Sequence, residues 1–172
     1  MRSYRDPGST PAAPEPGAPP PRSAGVRIDP QLLYAIPLGI ALLVHHFAGP
    51  LTGLRGAPAA AVGVGLIALG VGVMWQAVRG FRRARTTLQP WESTTALVTD
   101  GIYRYSRNPI YLGYTLVYLG IGLWAGTLWH LVALPVVVLV VTRIVIVKEE
   151  AYLTNRFGDA YLRYRDEVRR WI

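Results

Sequence analysis

No cysteine occurs anywhere in the chain, which removes disulfides, thiolate metal sites and cysteine nucleophiles at a stroke. Acidic residues are few, 10 against 18 lysines and arginines. Histidine appears only at His45, His46 and His130, in no metal-ligand spacing, so no metal is expected. Charged residues of both signs make up only 16% of the chain, too few for the surface of an ordinary soluble domain of 172 residues. What the chain does have is apolar residues, 51% of the total, gathered into blocks whose length suits the hydrocarbon core of a bilayer.

The blocks are "LLYAIPLGIALLVHHFAGPL" (32–51), "APAAAVGVGLIALGVGVMWQAV" (57–78), "IYLGYTLVYLGIGLWAGTLW" (110–129) and "LVALPVVVLVVTRIVIV" (131–147). Each reads as a membrane-spanning helix, with Pro37 and Pro135 tolerated inside because neighbouring helices can satisfy the freed carbonyls. Short connections at 52–56 and near 130 pair them as two helical hairpins. The expectation is an all-α polytopic membrane protein. Its four transmembrane helices lie at about 32–51, 57–78, 109–128 and 131–147, and amphipathic interfacial helices follow over 148–172. Residues 1–30, rich in Pro, Ala and Gly, lack any apolar period and read as a disordered tail without a signal-peptide design. The membrane domain is then 31–172.

The net charge of +8 follows the same layout. Four basic residues lie in the tail, six between 79 and 109, and six from 148 onward, all on one side of a four-span chain. By the positive-inside rule both termini face the cytoplasm. The charge is thus accounted for by topology and anionic lipid, with no nucleic-acid partner. "GVGLIA" (63–68) has the form of a dinucleotide fingerprint but lacks the strand that motif needs. Gly63, Gly65, Gly70 and Gly72 read instead as small residues that let helices approach.

The densest chemistry is "YRYSRNPIYLGY" (103–114), with two arginines, four tyrosines, an asparagine and a proline at the mouth of a helix. Asn108 suits an N-cap, Pro109 the first helical position, and the tyrosines an interfacial belt. Counting both ways from the hairpin tip brings Tyr111 level with Glu149 and Glu150. Two acids at a helix C-terminus oppose its dipole and call for a partner, either Arg107, Arg143 or a ligand donor. The terminal stretch "EEAYLTNRFGDAYLRYRDEVRRWI" breaks at Gly158, with Asp159 as a cap. Tyr161, Tyr164, Val168 and Trp171 then recur on one helical face, as a lid over the same pocket. Tyrosine faces attract cations, so the pocket suits a cationic ligand with hydroxyls and an aromatic base.

The pattern "LVTDGIYRYSRNPIYLG" followed by "EEAYLTNRFGDAYLRYRDEVRRW" resembles the isoprenylcysteine carboxyl methyltransferase family and the related phospholipid methyltransferases, over about residues 94–172. That resemblance implies an integral membrane methyltransferase using S-adenosylmethionine at a cytoplasm-facing pocket. Its acceptor would be lipid-like or prenylated. Carried across, Leu97, Val98, Tyr103, Asn108, Pro109 and Tyr111 line the cofactor site and Glu149 binds its polar edge. Tyr161, in the lid, is read as a further cofactor contact, and Arg143 or Arg107 as the cation that neutralises an anionic nucleophile. Two positions depart from the family: Asn108 stands where its eukaryotic members usually have His, and Val145 where they carry an Arg. Two alternatives stand beside this reading. One is an NADPH-dependent membrane reductase of the sterol reductase type, with Arg82, Arg83 and Arg85 as phosphate ligands; the other is a non-enzymatic accessory protein.

Overall fold

The computed structural model describes residues 24–26, 28–49, 56–86 and 94–172. Most of the proposed tail, and the 52–56 connection apart from Gly56, lie outside these residues. The folded part nevertheless begins before residue 31: Val26 is buried at 3% exposure among core residues, and Ala24 packs on the same cluster.

Among the described residues every regular element is helical. Helix α1 (Pro30–Ala48) starts where Asp29 accepts the Gln31 N–H at 3.0 Å and Pro30 takes a position that needs no donor. It runs unbroken through Pro37 to Gly49. Helix α2 (Ala57–Arg83) continues past the expected end at 78 by a further turn of arginines. A 3₁₀ turn (Gly101–Arg104) leads into α3 (Pro109–Trp124).

Helix α3 is shorter than the sequence pattern implied. Gly126 takes φ +69°, its N–H bonds the Leu123 carbonyl at 3.0 Å, and the Thr127 N–H reaches the Gly122 carbonyl at 3.0 Å. This is a Schellman stop. With 16 residues α3 is about 24 Å long, short of the ~30 Å bilayer core. The fourth block, by contrast, overshoots its expected end at 147. Helix α4 (Trp129–Val141), a π-helical turn (Thr142–Ile146) and α5 (Val147–Phe157) form one rod that stops only at Gly158, φ +54°. The acid pair therefore sits inside a helix rather than at its C-terminus. Helix α6 (Asp159–Glu167) follows, with Gly158 rather than Asp159 at its cap position. Three helices, Pro30–Ala48, Ala57–Arg83 and Trp129–Phe157, are long and apolar enough to cross a membrane. The molecule is an integral membrane protein built from helices.

The packing keeps α3 against α4, as the second hairpin requires, but not the first hairpin. Helix α2 lies antiparallel against α3, and α1 lies against α4 and α3 rather than against α2. The α2–α3 contact is made by backbone. A Cβ on Gly63 would come within 2.6 Å of the Gly120 carbonyl, and one on Gly70 within 2.7 Å of that of Gly113. Gly65 and Gly72, grouped with them in sequence, meet nothing within 4 Å and face outward. Helix α1 is tied in through Tyr34, whose hydroxyl lies 3.2 Å from the Tyr111 carbonyl and 3.1 Å from Thr115 Oγ1 on α3. The glycine face of α2 matches α3 and the tyrosine face of α1 reaches α3, so chain neighbours give way to surface fit.

Candidate functional site

Three segments meet at the end of the bundle where α2 finishes: residues 94–111, the acid pair on α5, and α6 with the terminal residues. They enclose a cavity of about 120 Å³. One water needs roughly 10–15 Å³, so this is space for the body of a ligand rather than a packing defect. Leu97, Val98, Tyr103, Arg107, Asn108, Pro109, Tyr111, Glu149 and Tyr161 all line it. Arg143 does not. The π turn directs Val145 and Ile146 into the core, both fully buried, and leaves Arg143 exposed.

The two acids are adjacent in sequence and unlike in surroundings. Glu150 is held by two arginines. Arg170 donates through Nε at 2.9 Å and Nη2 at 2.6 Å, a bidentate fork, and Arg107 Nη1 lies 3.3 Å away. The fork also raises the Arg170 pKa, because the carboxylate favours the charged guanidinium. Glu149 has no basic partner within ion-pair distance among the described residues. Among those residues its carboxylate accepts one hydrogen bond, from the Tyr111 hydroxyl at 2.8 Å. The pair thus keeps one carboxylate engaged and one open toward the cavity.

Arg107 is the complementary group. Its side chain is only 10% exposed; Nη1 sits beside the Glu150 carboxylate without hydrogen-bond geometry, and Nε finds no acceptor among the described residues. Burying a guanidinium with open donors is costly, and here the open donors border a cavity. One wall is aromatic. Tyr161 and Tyr164 pack with rings 6.2 Å apart, and the Tyr164 hydroxyl donates to the Tyr103 carbonyl at 2.8 Å. Burial pushes the hydroxyls of Tyr103, Tyr161 and Tyr164 upward in pKa, so these are neutral donors and π faces, not bases.

The terminal segment closes the site in a form the sequence pattern missed. The helix ends at Glu167, and Val168 is extended at φ −120°, ψ 132°. The chain then runs alongside 107–108: the Arg107 N–H bonds the Arg169 carbonyl at 3.0 Å, and Asn108 Nδ2 bonds the Arg170 carbonyl at 2.9 Å. Asn108 occupies the cap position of α3 but makes no side-chain cap bond; its amide holds the tail instead. Trp171 packs on the core cluster of Tyr34 and Tyr111, so it does not share a helical face with Tyr161 and Tyr164. Those two tyrosines are buried inside the protein. Reading the tail as helix hid the roles of Arg170 and Glu150. The bidentate match of a C-terminal arginine to the second acid was the available signal. Tyr152 was also missed; its hydroxyl accepts the Thr94 N–H at 3.0 Å and pins the 94–98 wall to α5.

Among the described residues no cluster of three or more His, Cys, Asp or Glu forms. The family model described as phospholipid methyltransferase matches residues 58–160, more than half of the chain. An uncharacterized protein of Haemophilus influenzae is 38% identical over 63 residues, 37% of this chain and all of that protein. A protein-S-isoprenylcysteine O-methyltransferase of Schizosaccharomyces pombe is 40% identical over 72 residues, 42% of this chain. The match spans 30% of the yeast protein's length. No solved structure matches the chain.

Proposed function

The chain belongs to the phospholipid methyltransferase family, and from that premise we propose that it transfers a methyl group from S-adenosylmethionine to a lipid-like or prenylated acceptor at the cytoplasmic face of the membrane. The observation that carries the reading is the pairing of an open carboxylate, Glu149, with a buried guanidinium, Arg107, around one tyrosine-lined cavity. S-adenosylmethionine has a carboxylate, an ammonium, ribose hydroxyls, a sulfonium and a base. Arg107 suits the carboxylate. Glu149, held in place by Tyr111, suits the ammonium or the ribose hydroxyls. The faces of Tyr103 and Tyr161 suit the cationic sulfur, and Leu97, Val98 and Pro109 offer apolar contact to the base. Asn108 serves by holding the tail that covers the site.

When bound, the cofactor supplies an already electrophilic methyl group. What remains for the protein is orientation and exclusion of water, which is where intramolecular geometry gains most. Neutral tyrosines stand in the cavity and no histidine lines it. The acceptor therefore brings its own nucleophile. Helices α2 and α4 share no substantial packing, which supports lateral entry of the acceptor from lipid between them. In this reading both termini are cytoplasmic, the membrane domain extends from about residue 24, and α3 is a fourth, shielded crossing segment.

The reductase alternative draws no support from the same geometry. Arg82 and Arg85 lie outside the cavity, and Arg83 lines a separate hollow. Membranes containing the protein, incubated with methyl-labelled S-adenosylmethionine, are expected to carry label in the lipid-extractable fraction, with NADPH failing to compete. Label in no fraction, or full displacement by NADPH, overturns the proposal.

A further inference from the structure

A second hollow, of about 580 Å³, lies on the other side of the Leu97–Val98 wall. Its floor is one face of α2. Gln76, Arg79, Gly80 and Arg83 fall at i, i+3, i+4 and i+7, the spacing that aligns side chains on a helix. The opposite rim is Asp100, Gly101 and Ile102. Arg79 and Arg83 have no acidic partner within ion-pair distance among the described residues. Their level on α2 is where its apolar stretch ends, after Val78. Arg82, next to Arg83 in sequence, is exposed but does not line the hollow.

From these observations we infer that the hollow is a binding site for the phosphodiester of an anionic membrane lipid whose headgroup carries hydroxyls. Two guanidinium groups one turn apart match the non-bridging oxygens of a phosphate. Asp100 and Gln76 are then placed to take headgroup hydroxyls, and one carboxylate against two guanidiniums leaves a net charge of the right sign for a monoanionic diester. The acyl chains continue down the exposed apolar surface of α2, where Leu69, Val71 and Trp75 are more than half exposed. The site also touches the first cavity. A Cβ on Gly80 would lie 3.3 Å from Val98 and 3.5 Å from the Tyr103 ring, so both residues rest directly on the helix that forms the lipid floor. A lipid held here braces the wall that the two hollows share. The inference does not depend on the reaction proposed above, because lipid binding is read without cofactor or turnover.

Delipidated full-length protein in detergent, titrated with short-chain phosphatidylglycerol and read by native mass spectrometry, is expected to bind one lipid saturably. Phosphatidylcholine should bind about tenfold more weakly, and inorganic phosphate should compete only at far higher concentration. The double variant Arg79→Gln/Arg83→Gln is expected to lose about tenfold or more in affinity, whereas Arg82→Gln changes it by less than about twofold. Arg79→Lys/Arg83→Lys, which keeps both charges but not the planar forks, should bind between wild type and Arg79→Gln/Arg83→Gln and controls for folding. Equal loss with Arg82→Gln assigns the effect to general surface charge and overturns the site. Equal binding of phosphatidylcholine, or displacement by free phosphate at matching concentration, overturns the lipid assignment.

Discussion

The α2–α3 contact and the cavity end of the molecule are held together by opposite means. In the first, backbone meets backbone, glycine against glycine, with no polar side chain involved. In the second, side chains from three distant segments are tied by ion pairs and hydrogen bonds: Arg170 to Glu150, Tyr111 to Glu149, Tyr164 to Tyr103, Asn108 to the tail. Removing atoms from a glycine contact is impossible and adding them is ruinous. At the cavity, single groups can be changed while the helices stay in place. The lesson is a division between an apolar frame that sets where Pro109 and Tyr111 stand, and a polar closure built from side chains around the cavity.

The largest effect expected is on the frame. Gly70→Leu forces a side chain into the Gly113 carbonyl and is expected to cost about 3 kcal/mol or more, read as a lowered Tm and loss of monodisperse protein in detergent. Gly65→Leu, five residues earlier on an open face, should leave Tm unchanged within experimental scatter. If both glycines tolerate leucine equally, the contrast between frame and closure fails.

Next comes Tyr111→Phe, which removes the donor to Glu149 and keeps the ring. Loss of a hydrogen bond to a carboxylate is worth roughly 1.5–3 kcal/mol, so Tm should fall, and with Glu149 no longer held toward the cavity cofactor affinity should drop by about tenfold. A smaller effect is expected from Arg170→Gln. It frees the tail from Glu150, which should appear as faster proteolysis after residue 167 and weaker ligand retention by about fivefold, from a loss of about 1 kcal/mol. Smallest of all is Arg143→Gln. An exposed residue outside the cavity should leave labelled-methyl incorporation within about twofold of wild type.

The parts of this architecture that local rules decide were legible in the sequence. Gly158 stops α5 and the apolar blocks give helices, whereas Asp29–Pro30, which starts α1, was hidden by the Pro-rich composition of the tail before it. The meeting of Tyr111 with Glu149 followed from counting along helices, the spacing of the terminal tyrosines put Tyr161 over the pocket, and the resemblance added Leu97 and Val98. What escaped depended on competition between distant surfaces. Gly126 is a plain stop signal, yet it was absorbed into an apolar block because hydropathy does not register backbone geometry. The pairing of α1 with α4 and α3 depends on which helix face fits best, which loop length does not reveal. The π turn that takes Arg143 out of the site leaves no mark in composition. The extended tail at 168–172 looked helical because its aromatic spacing was right, while its hydrogen bonds go to Arg107 and Asn108 instead.

The central claim is that Glu149, left open by the partnering of Glu150, anchors S-adenosylmethionine opposite Arg107. Isothermal titration of the cofactor into purified wild-type protein and Glu149→Gln tests it most directly. Saturable binding to wild type, weakened about 100-fold in Glu149→Gln while Tm is kept, is the predicted result. Equal affinity in the two proteins, or no heat of binding in either, contradicts it.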